Sequence, residues 1–195
     1  MEYNYVKPSR LLQDYSTLKK RAKELEHILD ESRFLAKPAG TGWSPGECII
    51  HLNKTGWLLV PKLNEAIEQA RKSGITAEPP YKLRVFDRWF ITGFLSPDTG
   101  FNIKAPNLYR PSGYKDCDKA WVIEEFVLLQ DELIRLVRKS EGLNYRAVTV
   151  PSPISRLLRL SLGGWFSATI AHQQRHLAQA ERAGGITARN TESSA

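Results

Sequence analysis

Three histidines in this chain have the residue type and spacing to do chemistry. They are His51 and the pair His172 and His176, set in Ile170-Ala171-His172-Gln173-Gln174-Arg175-His176-Leu177-Ala178-Gln179. Residues four apart on a helix share one face, about 5–6 Å apart at Cβ, so both imidazoles of the pair can reach a single ion. A third imidazole from a neighbouring helix completes a three-nitrogen site with an open position, the arrangement of catalytic zinc centres. Such an ion lowers the pKa of a bound water or thiol and generates a nucleophile at neutral pH. The same spacing also suits two satisfied histidines at the rim of a core, and spacing alone does not separate the readings.

The surrounding helix sharpens the question. In heptad phase it presents Leu158, Leu162, Trp165, Thr169, His172, His176 and Gln179 on one seam, apolar at first and then polar. Burying a polar group without a partner costs about 1–3 kcal/mol. Four polar positions in a row therefore require a metal, a water-filled pocket or a local hydrogen-bond network.

Four long helices are expected from the apolar period. The first spans about Ser9 to Ala36, with Leu11, Tyr15, Leu18, Ala22, Leu25 and Leu29 as its inward seam. His27, the fourth histidine, points about 180° from that seam and is expected on the surface. The second helix opens at Trp43-Ser44-Pro45-Gly46-Glu47, with Ser44 as N-cap, Pro45 at the first position and Glu47 closing a capping box. It continues to about Ser73 and stops at Gly74, with Pro61 as a site for a kink. Cys48, Leu52, Thr55, Leu59, Leu63, Ala66 and Ala70 form its inward stripe, and His51 lies on the flank of that stripe.

From Ile75 to Lys115 the pattern gives way to breaker clusters at Pro79-Pro80, Ser96-Pro97-Asp98, Ala105-Pro106-Asn107 and Arg110-Pro111-Ser112-Gly113. A short helix from about Leu83 to Phe94 interrupts this crossover, whose aromatic content predicts packing over one end of the bundle. The third long helix runs from about Asp118 to Lys139, with Val122, Phe126, Leu129, Leu133 and Leu136 inward. A β-prone stretch, Tyr145 to Val150, precedes the last helix, expected from about Ser155 to Ala183. The fold class is all-α: a four-helix bundle with a long crossover between the second and third long helices. One domain covers residues 1–186, and the polar tail 187–195 is expected to fray.

Composition excludes several classes. With 195 residues, 42% hydrophobic and 25% charged, the chain is that of a globular domain with a sizeable core. No apolar run approaches the ~20 residues of a membrane span, and the N-terminus has no signal-peptide pattern. Cys48 and Cys117 form no C-x-x-C pair and read as small buried hydrophobes in a reducing cytoplasm. The net charge of +7 is spread along the chain. Its densest cluster, Lys19-Lys20-Arg21-Ala22-Lys23, is followed at once by Glu24 and Glu26, so a solvated helix face explains it better than nucleic acid.

Two segments carry a family resemblance. Trp43-Ser44-Pro45-Gly46-Glu47-Cys48-Ile49-Ile50-His51-Leu52 resembles the signature opening the second helix of the DinB-like (YfiT-like) superfamily. His172-Gln173-Gln174-Arg175-His176-Leu177-Ala178-Gln179 is similar to its last-helix motif, in which two histidines flank an arginine and a glutamine follows. The resemblance implies an up-down-down-up bundle in which His51, His172 and His176 bind a divalent metal ion, with water completing the shell. It also implies a metal-dependent enzyme that activates a low-molecular-weight thiol or a water, of S-transferase or hydrolase type. A non-catalytic metal-binding or stress-response bundle is the alternative. Imidazole ligands suit zinc and nickel first, with iron or another transition metal also compatible.

Lesser roles follow for other residues. Glu47 and Gln179 are candidates to support the site, although the capping box explains Glu47 more simply. Arg175 points about 100° off the ligand face and is expected in a surface ion pair, with an anionic substrate group as the alternative partner. Trp57 and Trp89 are expected in the core, with a pocket wall as the alternative. The substrate is expected to be a small molecule, and a homodimer remains open.

Overall fold

Apolar residues at alternating three- and four-residue steps build the first long helix. A computed structural model of the chain describes residues 4–38, 42–95, 109–111, 118–153, 155 and 157–186. It places α1 at Pro8–Ile28, with Leu11, Tyr15, Leu18, Ala22 and Leu25 buried along one stripe. The expected continuation to Ala36 is corrected. Leu29 is extended (φ −97°, ψ 128°), and a short helix α2 (Glu31–Leu35) restarts beyond it. The cause is local: an Asp30 carboxylate oxygen accepts from the Arg33 N–H at 2.8 Å and from the Ser32 hydroxyl at 2.7 Å. This new N-cap competes with continuation of α1, while Leu29 and Phe34 are buried on either side of it.

The next helix, α3 (Pro45–Lys72), begins as the sequence predicts. The Ser44 hydroxyl accepts from the Glu47 N–H at 3.1 Å, and a Glu47 carboxylate oxygen accepts from the Ser44 N–H at 2.9 Å. The helix runs through Pro61 and ends before Gly74, whose φ of +62° favours glycine. Its buried face is wider than expected, adding Ile49, Ile50, His51, Asn53, Gly56, Val60 and Ile67. An added Cβ at Gly56 would run into Leu129 Cδ2, so glycine permits close approach to the following long helix. That helix, α5 (Lys119–Lys139), buries all five residues of its predicted seam and is capped by Asp118, which accepts from the Ala120 N–H at 2.7 Å.

The crossover carries β2 (Tyr81–Lys82), which pairs antiparallel with β1 (Tyr5–Val6), then α4 (Val85–Phe90) and a π-helical turn at Ile91–Leu95. Its breaker residues at 96–98, 105–107 and 112–113 lie outside the described residues, as do Cys117 and the tail 187–195.

The start of the last helix is a second correction. A hairpin of β3 (Thr149–Pro151) and β4 (Arg159–Ser161) comes first, and α6 covers Leu162–Ala183. Ser161 caps it, accepting from the Gly164 N–H at 3.0 Å. Leu158 therefore stands just before β4 rather than on the helical seam. The cause is strand pairing: the β-prone segment takes Arg159–Ser161 as its partner, with Val150 opposite Leu160, so the helix starts only after Ser161.

The buried Asp87 of α4 docks the crossover onto this cap. Its carboxylate accepts from the Ser161 N–H at 3.2 Å and from the Ser161 hydroxyl. A Cβ at Gly164 would lie 2.6 Å from Asp87 Cγ, so only glycine leaves room for the carboxylate.

The long helices α1, α3, α5 and α6 enclose one apolar core, α1 and α3 each packing against both α5 and α6. The fold is all-α apart from the two small strand pairs. No helix among the described residues is long and apolar enough to cross a membrane.

Candidate metal centre

His51 lies two turns into α3, and His172 and His176 face it from α6. Their ligating nitrogens lie within 4.8 Å of one another. His51 Nε2 and His172 Nε2 are 3.1 Å apart. Two nitrogens bound at about 2.0–2.1 Å to one tetrahedral zinc ion stand about 3.3 Å apart, so the spacing suits a shared ion. His27 is exposed and belongs to no such group.

Outer hydrogen bonds fix which nitrogen two of the three rings offer. His51 Nδ1 lies 2.7 Å from the Tyr109 carbonyl oxygen, which accepts its proton and leaves Nε2 with a lone pair toward the centre. His176 Nδ1 lies 2.9 Å from Gln179 Oε1, which sets the same tautomer for that ring. Carbonyl partners of this kind orient metal-binding imidazoles and raise their basicity. The close pair at His51 and His172 is a hydrogen bond when His172 is protonated at Nε2. When His172 carries its proton on Nδ1 instead, two lone pairs are directed at one point. Thr169, the remaining polar residue of the seam, donates its hydroxyl to the Trp165 carbonyl at 2.7 Å.

Burial holds all three imidazoles neutral, as metal binding requires. Desolvation pushes the pKa of His51 down, and Lys54 adds to the effect against the opposing Tyr109 carbonyl. Desolvation drives His172 well below its usual value, with His176 and His51 next in effect. It takes His176 to about 3, with His51 contributing. The unfolded chain binds protons at these positions below about pH 6.5, where the native fold does not. Metal-free protein is therefore expected to keep this contribution above about pH 6.5 and to lose stability as pH falls toward about 3. Urea midpoints across that range check the slope, which His176→Gln should reduce; equal slopes in the two proteins would refute the assignment.

The triad opens onto a cavity of about 860 Å³ between α3, α6 and the crossover. Trp43 lies against His176 at 5.7 Å between ring centroids and against His51 at 4.9 Å. Phe90, Phe94, Leu95, Leu158 and Trp165 supply further apolar wall. The sequence reading did not assign Trp43 to this wall, although its place just before the Ser44 cap puts it near the first turns of α3. Tyr109 contributes a backbone carbonyl from a distant loop and leaves no sequence signal.

Other expectations are redrawn. Both carboxylate oxygens of Glu47 are engaged away from the triad, one with Ser44 and one with Lys37 Nζ at 2.8 Å. Arg175 stands on the cavity wall rather than the outer surface, and its Nη1 donates to the Phe94 carbonyl at 3.2 Å. Trp57 and Trp89 are 36% and 55% exposed and line no part of this cavity. Trp57 sits with Leu58 on the outer face of α3, and α4 turns Asp87 inward where Trp89 was expected. The buried Cys48 thiol is pushed up to about 12 by desolvation and by Glu47, which leaves it unreactive at neutral pH.

A model of the DinB superfamily matches residues 11–180, and the chain belongs to that superfamily, whose members often bind metal. Among curated proteins and among solved structures, none matches the chain.

Gln179→Leu is expected to weaken zinc binding about 10–100-fold, because His176 loses the acceptor that fixes its tautomer. Competition with a chromogenic chelator measures this, and an unchanged affinity would rule out the role.

Proposed function

We propose that this chain is a divalent-metal-dependent enzyme in which His51, His172 and His176 hold the ion and a thiol or water is activated beside it. The observation that carries the reading is that the ligating nitrogens of three imidazoles lie within 4.8 Å of one another at the wall of a cavity of about 860 Å³. When bound, a divalent ion supplies Lewis acidity that lowers the pKa of a coordinated thiol or water. The protein's own groups do the rest. The Tyr109 carbonyl and Gln179 hold the His51 and His176 rings in the tautomer that presents Nε2. The aromatic wall gives an apolar face to the space where a small-molecule substrate would lie.

Zinc or nickel is the preferred ion, with iron or another transition metal compatible. The reaction is an S-transfer from a low-molecular-weight thiol or a hydrolysis, in the cytoplasm. An up-down-down-up bundle is supported by the pairs Tyr15/Phe166 and Arg21/Glu181, which run in the same sense along α1 and α6, and by Asn53/Val122 and Asn64/Lys139, which do so along α3 and α5.

Turnover of zinc- and nickel-loaded protein tests the reading. Glutathione or cysteine would be offered with monobromobimane as the electrophile, and p-nitrophenyl acetate would report hydrolysis. Turnover that requires metal and disappears in His172→Ala supports the enzyme. Retained metal without turnover across thiols and esters favours a metal-binding role alone.

A further inference from the structure

The described lining of the cavity beside the triad carries charge of one sign. It includes Arg110 and Arg175 and no aspartate or glutamate. Arg175 lies on α6 between His172 and His176, and the Phe94 carbonyl of the π-helical turn accepts from it at 3.2 Å and steadies the guanidinium at the wall. Lys54 reaches the same region, donating from Nζ to the Arg110 carbonyl at 3.0 Å. A divalent ion on three neutral imidazoles would add two positive charges, with no described carboxylate on the cavity wall to offset them. Such a field attracts an anion and rejects a cation. The remaining wall is apolar and aromatic, as at Trp43, Phe94 and Trp165.

We propose that the cavity takes an organic anion, its apolar body on the aromatic wall and its carboxylate- or phosphate-type group received by Arg175, with the exposed Arg110 assisting. A guanidinium fork matches the paired oxygens of such groups and forms charge-assisted hydrogen bonds. This inference rests on the triad being the reaction centre and names the substrate class of that centre.

Calorimetric titration with 4-phenylbutyrate and its neutral counterpart 4-phenylbutanamide tests it, on zinc-loaded and on metal-free protein. The acid is expected to bind about tenfold tighter than the amide or better, as charge-assisted hydrogen bonds warrant. Arg175→Gln should remove about tenfold of the acid's affinity and leave the amide within about twofold, with Arg175→Lys recovering part of the loss. Arg110→Gln, at an exposed position, should weaken the acid by about threefold and keeps the test open if Arg175→Gln does not fold. Equal binding of acid and amide, equal losses for both, or no acid binding up to about 10 mM would each overturn the inference. Should the triad hold no metal, the acid preference and its dependence on Arg175 persist in metal-free protein, and only the metal reading falls. Loss of the preference with metal retained removes the inference alone.

Discussion

His172→Ala is expected to weaken binding of a divalent ion by about a thousandfold or more. Removing an outer hydrogen-bond partner of a ligand already costs about 10–100-fold, and a ligand itself costs more. The three rings are mutual neighbours, with centroids 4.6 Å, 4.7 Å and 5.0 Å apart, and the His172 Nε2 lies 3.1 Å from that of His51, so its loss leaves only two imidazoles at the centre. The effect reaches stability as well. A ligand present at about a thousand times its Kd stabilises the fold by about 4 kcal/mol, so the rise in Tm that zinc gives the wild type should collapse in the variant. His27→Ala, at an exposed position of α1, is the control and should behave as wild type. Chelator competition and thermal melts with and without zinc measure both effects. Wild-type affinity in His172→Ala, or an equal loss in His27→Ala, would contradict the assignment.

Asp87→Ala should destabilise the fold by about 2–4 kcal/mol, without touching any of the three histidines. The carboxylate is fully buried and accepts from both the backbone N–H and the hydroxyl of Ser161, at the positive end of α6. Alanine leaves these donors without their acceptor and opens a small void against Gly164. Asp87→Asn keeps one acceptor oxygen and should cost less, about 1–2 kcal/mol. The change should also loosen the cavity wall, because α4 and the π-helical turn carry Phe90, Phe94 and the carbonyl that holds Arg175. Urea denaturation checks the magnitude, and an unchanged midpoint would show that the crossover is anchored elsewhere.

The parts of this molecule written in local chemistry were legible in the sequence. Ser44, Pro45 and Glu47 announce the start of α3 because a capping box is satisfied within four residues. The seams of α1 and α5 are equally direct, since helical period alone turns Leu11 or Phe126 inward. The three histidines were legible for the same reason, two by their spacing on one helix and one by its phase on another. What escaped depends on contacts between distant segments. The break at Leu29 was hidden because an apolar residue continues the seam there while Asp30 caps a new helix. The start of α6 was misplaced because its cap, Ser161, is reinforced by Asp87, 74 residues earlier. Tyr109 acts through its backbone carbonyl, which side-chain patterns do not report. Arg175 was sent outward by helical phase, which takes no account of a crossover folding back to cover that face.

Metal content decides whether His51, His172 and His176 form one metal centre. Wild-type protein, purified without an affinity tag from cells grown with zinc and nickel, would be compared with His176→Ala by elemental analysis. About one equivalent of a divalent transition metal is expected in the wild type and a small fraction of that in the variant. Substoichiometric metal in both proteins, or the same full equivalent in both, would contradict it.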